Sequence, residues 1–174
     1  MNRRTILTLG LVGSATAIPF IGGTSNMAHA TKKKLQLDPN PEQIEPFALD
    51  KVEWKMRLND EAFYVMREEG TERPFTSELN DEKRLGTFAC TGCKLSLFNS
   101  DKKYDSGTGW PSFWEPIEGH IETKTDFKMF LPRTEYHCAR CGGHQGHVFK
   151  DGPKPTGLRY CNNGVALTFV PQEA

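Results

Sequence analysis

The sequence predicts a mainly β domain, built from antiparallel strands and preceded by one or two short helices. From Thr87 onward, short apolar segments lie between clusters of Gly, Pro, Asn and Asp, as is typical of strands joined by tight turns. Four segments are strand candidates: Leu95–Phe98, Phe127–Leu131, His147–Lys150 and Val165–Val170. The last segment alternates between two faces, and Asn163-Gly164 directly before it indicates a hairpin turn. The length of 174 residues suits one such domain.

The helices are expected before residue 70. Asp50 is typical of a helix N-cap, and the apolar and charged residues of Val52–Leu58 fit either a short helix or a strand. Asn59 begins a second segment, whose apolar spacing predicts a helix of about two turns that ends near Gly70.

Residues 1–30 are typical of an export signal. Arg3 and Arg4 come before an apolar stretch, and Ala28-His29-Ala30 supplies the small residues that a signal peptidase recognises. The paired arginines favour the twin-arginine route and therefore a periplasmic protein. An uncleaved membrane anchor is the alternative. Glycine, serine, threonine and proline interrupt the apolar stretch, so stable membrane insertion is not expected.

Residues 31–49 are expected to form a linker, and residues 50–172 the domain. Thr31–Pro46 has three successive lysines, several prolines and no helix or strand period, which predicts a flexible tether. An edge strand docked on the domain is the alternative. The whole chain has 22 basic and 22 acidic residues. This balance gives no electrostatic reason to bind nucleic acid.

Four of the five cysteines form two Cys-x-x-Cys pairs, which predicts a structural zinc site. The pairs are Cys90 with Cys93 and Cys138 with Cys141, each close to glycine. Four thiolates fill a zinc tetrahedron and leave no open position for a substrate. Two disulfides are an alternative that an oxidising compartment would favour. A redox-active pair is another, although the βαβ context of such motifs is missing.

The fifth cysteine, Cys161, is a candidate nucleophile. If its segment is extended, Arg159 lies on the same face, and a guanidinium beside the thiol should lower the thiol pKa. Asn163 either completes this face or belongs to the turn that follows. A buried free cysteine that packs as a small hydrophobic side chain is the alternative.

Two further segments contain candidate catalytic and binding residues. His144 and His147 lie among glycines, which let a substrate approach the backbone. Because four cysteines already complete a zinc site, these histidines are available for acid–base chemistry. Zinc ligation and a plain surface position are the alternatives. Trp110 and Phe113 lie in a glycine-rich loop, where an aromatic can form the wall of a substrate site. One aromatic of this loop is expected to pack in the core instead.

Together, these segments resemble the type B methionine sulfoxide reductases. The resemblance covers Lys51–Pro171. It rests, in this order, on Glu53-Trp54-Lys55, Gly70–Phe75, both cysteine pairs, Ser106–Phe113, Gly143–Phe149 and Arg159–Asn162. It implies two small antiparallel sheets that form an open, barrel-like domain with short N-terminal helices and a four-cysteine zinc site.

The resemblance also implies repair of oxidised proteins, by reduction of the R epimer of methionine sulfoxide, free or in proteins. By similarity, Cys161 is the attacking thiolate, and a structural Zn²⁺ is bound by the paired cysteines. The other residues implied at the site are His144, His147, Asn163 and Arg159 as polar catalytic residues, with Trp110 and Phe113 contacting the substrate. The protein is expected to act as a monomer.

The chain departs from many relatives in the loop before Trp110. Where those relatives have a resolving cysteine, this sequence reads Gly107-Thr108-Gly109. With four cysteines assigned to zinc, no thiol remains for an internal disulfide with Cys161. We therefore expect the Cys161 sulfenic acid to be reduced by an external thiol or a thioredoxin-like protein.

Other functions remain as alternatives. The chain could be a non-enzymatic zinc scaffold that binds proteins, with an inert Cys161, or a different thiol enzyme that acts on a small aldehyde adduct. A zinc-ribbon nucleic-acid binder is disfavoured by the charge balance.

Overall fold

The computed structural model describes residues 44–128 and 132–173, so the predicted signal peptide lies outside the described residues. Within them the chain forms two antiparallel sheets and two helices, which confirms the predicted fold class. Neither sheet closes into a barrel in this part of the chain. Among the same residues, no helix is both long and apolar enough to cross a bilayer.

Residues 44–49 belong to the stretch predicted as a linker, and its earlier residues lie outside the described part. Ile44, Phe47 and Leu49 pack against the hydrophobic core. The Phe47 N–H donates a hydrogen bond of 2.8 Å to the carbonyl of Arg140. The last residues of this stretch therefore contact the domain.

Both helices begin at the predicted caps. They are α1 (Lys51–Arg57) and α2 (Asp60–Glu68). The Asp50 carboxylate accepts bonds from the first turn of α1, and Glu53 bonds back to the Asp50 N–H, which completes a capping box. The Asn59 side chain accepts the Ala62 N–H at the start of α2. Four residues of α2 are buried against the core: Ala62, Phe63, Val65 and Met66.

The small sheet has three strands in the order β2-β1-β9. They are β1 (Gly86–Cys90), β2 (Ser96–Asn99) and β9 (Leu167–Pro171). The predicted strands Leu95–Phe98 and Val165–Val170 correspond to β2 and β9.

The large sheet has six strands in the order β3-β4-β8-β7-β6-β5. They are β3 (Lys103–Tyr104), β4 (Ser112–Phe113), β5 (Ile121–Asp126), β6 (Arg133–Cys138), β7 (His144–Phe149) and β8 (Arg159–Asn162). The predicted strand His147–Lys150 overlaps β7, which begins three residues earlier and ends at Phe149.

Two local predictions were wrong. Phe127 and Lys128 follow the end of β5 and belong to no strand, while the rest of the predicted strand Phe127–Leu131 lies outside the described residues. Asn163-Gly164 forms no hairpin, because β8 and β9 belong to different sheets. A short 3-10 turn, Gly164–Ala166, joins them instead.

An aromatic cluster packs against one face of the large sheet. Phe98 stacks on Phe113 with ring centroids 4.2 Å apart, and the Tyr136 ring meets Phe98 edge-on at 6.1 Å. These three side chains are fully buried. Burial of each contributes about 1.5–3 kcal/mol, so the cluster fixes β4 and β6, and with them the opposite face of the sheet.

Candidate active site

The candidate nucleophile Cys161 lies on β8, in the middle of the large sheet. It is directly opposite Ser112 of β4 on one side and His147 of β7 on the other. His147 is in turn opposite Glu135 of β6. Because directly opposite residues of antiparallel strands share a face, these four side chains form a row on the face that turns away from the aromatic cluster.

Cys161 opens into a small cleft of about 100 Å³. The cleft is lined by Thr71, Trp110, Arg133, Gly146, His147, Phe149, Cys161, Asn162 and Asn163. It has room for several water-sized groups, because one water needs about 10–15 Å³ on this measure. The cleft therefore brings the predicted Cys161, His147, Asn163 and Trp110 to one place.

Burial raises the pKa of the Cys161 thiol, and the positive charge of Arg159 and a hydrogen bond with Thr108 only partly oppose this. Arg159 lowers the pKa of the thiol, as expected, but burial outweighs it, so the net shift is upward and not downward. The prediction missed this because the strand pattern shows which residues are neighbours but not how far the thiol is removed from water. In the resting site Cys161 is a thiol.

Arg159 is held by an acidic residue that the sequence analysis did not identify. Its Nε and Nη2 donate to the two carboxylate oxygens of Asp151, at 2.9 and 2.8 Å. Its guanidinium also lies over the Phe149 ring, 4.3 Å from the centroid. The bidentate pair fixes the guanidinium in one orientation beside Cys161.

His147 is bonded to Asp126 at the end of β5. Its Nε2 is 2.8 Å from Asp126 Oδ2, which also accepts Arg133 Nη2 at 2.7 Å. The Lys128 N–H and His147 hold the pKa of Asp126 well below its ordinary value. An ionised carboxylate only accepts hydrogen bonds, so Nε2 carries a proton and Nδ1 is the basic nitrogen of the neutral ring. Burial lowers the pKa of His147, although Asp126 opposes this.

His144 lies behind His147 rather than in the cleft. It is buried, and its ring centroid is 5.4 Å from that of His147. Its Nδ1 is 2.7 Å from Glu135 Oε1. Burial raises the pKa of Glu135, but hydrogen bonds with His137 and His144 outweigh it and bring the pKa to about 2. His144 and Glu135 line a second, larger cleft beside the first.

Asn163 is locked in place by hydrogen bonds to two separate segments. Its Oδ1 accepts the Glu72 N–H at 2.9 Å, and its Nδ2 donates to the Gln145 carbonyl at 2.9 Å. The Asn163 N–H donates to the same carbonyl at 2.8 Å. Asn163 therefore lines the cleft as a rigid polar group and is not part of a hairpin turn.

The two aromatic candidates have different environments. Trp110 lines the cleft, and its Nε1–H donates to the Glu72 carbonyl at 3.0 Å, which fixes the indole. Phe113 is fully buried on the other face of the sheet and stacks on Phe98. The prediction that Phe113 contacts a substrate does not fit this position, because its ring is part of the core.

The paired cysteines form a buried cluster that could hold a metal ion. Their four Sγ atoms all lie within 4.8 Å of one another. Cys90 and Cys141 are 3.6 Å apart, and Cys93 and Cys138 are 3.5 Å apart. A disulfide needs about 2.05 Å, whereas the sulfurs of a tetrahedral zinc site with bonds of about 2.3 Å are roughly 3.8 Å apart. The geometry fits a metal site better than disulfides.

Two side chains donate hydrogen bonds to sulfurs of this cluster. Arg67 Nη2 is 3.3 Å from Cys141 Sγ, and Gln145 Nε2 is 3.6 Å from Cys90 Sγ. Donors around metal-bound thiolates reduce the negative charge on sulfur and orient it. Neither residue stands out in the sequence, because Arg67 is typical of any exposed helix end and Gln145 of any polar loop.

Comparison with known proteins places the chain in one family. A family model described as the SelR domain matches residues 58–171. The chloroplastic peptide methionine sulfoxide reductase B1 of Arabidopsis thaliana is 40% identical over 188 residues, covering 95% of this chain and 93% of that protein. The peptide methionine sulfoxide reductase MsrB of Pseudomonas putida is 54% identical over 123 residues, covering 70% of this chain and 92% of that protein.

One more relative and one solved structure also match the chain. The peptide methionine sulfoxide reductase MsrB of Methanosarcina barkeri is 49% identical over 122 residues, covering 70% of this chain and 86% of that protein. Among solved structures, the Yippee-like domain of Mis18 is 16% identical with a TM-score of 0.42, and the match covers 52% of this chain and 100% of that one.

Proposed function

Since the chain belongs to the SelR family of type B methionine sulfoxide reductases, we propose that Cys161 is the residue with which it reduces methionine sulfoxide in oxidised proteins. The activity is that of a peptide-methionine (R)-S-oxide reductase. The observation that carries the residue assignment is the cleft in which Cys161, His147 and Trp110 meet.

In the proposed reaction, the thiolate Sγ of Cys161 attacks the sulfoxide sulfur. The oxygen then passes to Sγ as the sulfoxide S–O bond and the transient bond between the two sulfurs break, so methionine leaves as the reduced thioether. Cys161 is oxidised by two electrons to a sulfenic acid, and the oxygen retains one proton. The thiol proton therefore has to move from sulfur to oxygen.

His147 is suited to move that proton. Burial leaves Cys161 as a thiol and His147 as a neutral imidazole, and Asp126 keeps the basic Nδ1 unprotonated and Nε2 protonated. His147 Nδ1 accepts the thiol proton, directly or through water, and the imidazolium then donates it to the departing oxygen. The Asp126 carboxylate stabilises the imidazolium in between.

The remaining residues of the cleft position the substrate. The fixed Trp110 indole and the Phe149 ring provide apolar surface for the sulfoxide's methyl group. Asn163 provides a polar group in the cleft, and Arg159, which does not line the cleft, lies on the same strand as Cys161. Because Arg159 and the thiolate attract one another, Arg159 stabilises Cys161 once it loses its proton.

We propose that the four-cysteine cluster binds a structural Zn²⁺. Four thiolates complete its coordination, so the metal joins chain segments and takes no part in the reaction at Cys161. The ligands come from β1 and the turn after it, and from β6 and the turn before β7. The metal would therefore connect the small sheet to the large one.

Regeneration of Cys161 is proposed to need an external thiol or a thioredoxin-like protein. The chain has five cysteines, and the other four belong to the buried cluster. After one turnover without reductant, the number of titratable thiols in the unfolded protein should fall by one. A fall by two would indicate an internal disulfide and would contradict the proposal.

We further propose export through residues 1–30 and action as a monomer. The twin-arginine route would carry a folded, metal-loaded domain to the periplasm. N-terminal sequencing of the protein from a periplasmic fraction tests the cleavage after Ala30. Retention of the full N-terminus in the cytoplasmic fraction would contradict export.

The residue assignment is tested with Cys161→Ser on separated epimers. The wild-type chain should reduce the R epimer and not the S epimer, and Cys161→Ser should lose turnover while keeping its fold and metal content. The matched control is Asp101→Asn, a change at an exposed polar residue that does not line the cleft. Turnover that persists in Cys161→Ser would refute the role of this thiol.

A further inference from the structure

Gln145 occupies an irregular point in the large sheet, between the cysteine cluster and the candidate active site. In the pairing of β6 with β7, Tyr136 is opposite Gly146 and His137 is opposite His144. Gln145 is therefore an extra residue with no partner on β6, which makes it a β-bulge. A bulge frees main-chain groups from the sheet ladder and redirects side chains, and bulges are frequent next to active sites.

The side chain of Gln145 is turned to the cysteine cluster. It is fully buried, and its Nε2 donates to Cys90 Sγ at 3.6 Å and to the Gly143 carbonyl at 3.3 Å. With the amide turned the other way, Oε1 would face a sulfur and a carbonyl, both of which accept hydrogen bonds. The environment of the side chain therefore requires the observed orientation.

The main chain of Gln145 is turned to the active site. Its carbonyl faces the segment after β8, one position beyond the Gly146–Asn162 pair, and accepts both the N–H and the Nδ2–H of Asn163, at 2.8 and 2.9 Å. Asn163 lies two residues after Cys161 and lines the same cleft. One residue thus contacts a cysteine of the cluster with its side chain and a cleft residue with its main chain.

We propose that Gln145 is a positioning residue that couples the metal-binding cluster to Asn163. A metal ion held by the cluster would fix the position of Cys90 Sγ, the atom to which Gln145 Nε2 donates. The hydrogen bond to Cys90 fixes the side chain of Gln145 and therefore the backbone of the bulge. The backbone of the bulge in turn determines the position of the Gln145 carbonyl, which holds Asn163. Binding or loss of the metal would in this way change the position of Asn163 in the cleft, through Gln145 alone.

Arg67 provides a matched comparison within the same structure. It also donates to a sulfur of the cluster, Cys141, but its other hydrogen bond is to the Cys141 carbonyl. Among the described residues, Arg67 and Asn163 share no hydrogen bond. Loss of the Arg67 side chain should therefore weaken metal binding and leave Asn163 unchanged. Loss of the Gln145 amide should weaken metal binding and also change the position of Asn163.

The test compares Gln145→Met with Arg67→Met in the full, metal-loaded chain. Methionine has nearly the length of glutamine but no N–H donor, so the buried volume is preserved. Two quantities are measured: the rate at which a chromogenic chelator removes zinc, and the change in the Asn163 side-chain amide signal, by NMR, when zinc is replaced by the larger cadmium ion. Neither measurement uses catalytic activity.

Both variants should release zinc about ten-fold faster than the wild-type chain, as is typical when a donor to a metal ligand is lost. The Asn163 signal should respond to the metal exchange in the wild type and in Arg67→Met, and the response should be at least two-fold smaller in Gln145→Met. An undiminished response in Gln145→Met, or unchanged zinc release, would overturn the coupling.

This inference rests on the proposed Zn²⁺, and the experiment distinguishes a failure of the metal proposal from a failure of the coupling through Gln145. If the wild-type chain retains no zinc, the metal proposal fails before any variant is compared. If Gln145→Met does not fold, Gln145→Glu provides the same comparison, because a carboxylate in contact with a thiolate should speed zinc release beyond the effect in Arg67→Met. Slower release from Gln145→Glu would contradict a donor role for Gln145.

Discussion

At the scale of single residues, Cys161 and His147 have pKa values shifted in opposite directions by the same cause. Burial raises the pKa of the thiol and lowers the pKa of the imidazole, so each prefers its uncharged form. The pair then holds one mobile proton over a wide range of pH. When both Cys161 and His147 carry a proton, His147 cannot accept the thiol proton and no thiolate forms. When neither carries a proton, the departing oxygen has no proton donor.

This pair predicts a bell-shaped pH dependence of kcat/KM. The acid limb should lie below 6.5, the ordinary pKa of histidine, and the basic limb above 9.0, the ordinary pKa of cysteine. Asp126 raises the pKa of His147, so Asp126→Asn should move the acid limb to lower pH. It should also reduce the maximum rate by about 10-fold, less than the roughly 100-fold or more for loss of a general acid–base group, because His147 itself remains. Asp101→Asn, an exposed change, should leave the profile in place. An acid limb that moves upward in Asp126→Asn would contradict this account.

Arg159 should control the basic limb. Its positive charge lowers the Cys161 pKa, so Arg159→Met should move the basic limb to higher pH. The matched variant is Arg84→Met, because Arg84 is an exposed arginine paired with Glu82. A pH–rate series on both variants checks this, and a basic limb that stays in place in Arg159→Met would exclude Arg159 as a partner of the thiolate.

Most of the cleft could be predicted from the sequence, but its supporting acids could not. Cys161, His147 and Trp110 stand out because their residue types and glycine-rich surroundings are chemically unusual. Asp126 and Asp151 contact the site only through strand pairing and loop shape, which spacing along the chain does not reveal. The direction of the Cys161 pKa shift was missed for a related reason, since the shift depends on burial.

At the scale of the elements, the bulge in β7 decides where the two histidines lie. Residues three apart on a regular strand face opposite sides, yet the rings of His144 and His147 are neighbours on one face. The extra residue, Gln145, makes this possible. His144 then bonds Glu135 of β6, so a buried hydrogen bond of 2.7 Å joins the two strands beside the active site.

The Glu135 contact predicts a specific loss of stability in acid. The folded pKa of about 2 lies below the ordinary value of 4.5, so the stabilisation is complete above pH 4.5 and is lost as the pH falls towards 2. Its size is up to about 3 kcal/mol. In urea unfolding followed across this range, Glu135→Gln should lose this pH dependence. Glu122→Gln, at an exposed neighbour of the same sheet, should keep it, and equal behaviour of the two variants would argue against the contact.

Element boundaries show where sequence patterns are informative. The caps of α1 and α2 could be predicted because Asp50 and Asn59 satisfy free N–H groups locally. The hairpin at Asn163-Gly164 was wrong because the same dipeptide also suits a crossing between sheets, and only the long-range partners of β8 and β9 distinguish the two. Local chemistry predicts where elements start, whereas pairing depends on the whole fold.

At the scale of the whole molecule, the cysteine cluster connects the two sheets. Cys90 ends β1, the central strand of the small sheet, and Cys93 follows in the next turn, whereas Cys138 ends β6 of the large sheet and Cys141 follows in the turn after it. The Cys-x-x-Cys spacing could predict a metal site, but it could not predict which sheets the site joins. The two-sheet arrangement itself was available only from the family resemblance.

Removal of the metal should therefore destabilise the domain as a unit. A chelator that strips the cluster is expected to lower the free energy of unfolding by several kcal/mol, since metal binding is coupled to folding. Urea titrations with and without chelator measure this, and Cys161→Ser should show the same loss because it leaves the cluster intact. If the urea midpoint of unfolding is the same with and without the chelator, the proposal that the metal is structural is contradicted.

The most direct test of the central claim is mass spectrometry of the protein after a single turnover. The wild-type chain is mixed with one equivalent of the R epimer of a methionine sulfoxide peptide, without reductant, and then digested. We predict one added oxygen atom, located on Cys161, and none after treatment with the S epimer. Reduced peptide formed without oxidation of Cys161, or the oxygen found on another residue, would contradict the assignment of this thiol as the nucleophile.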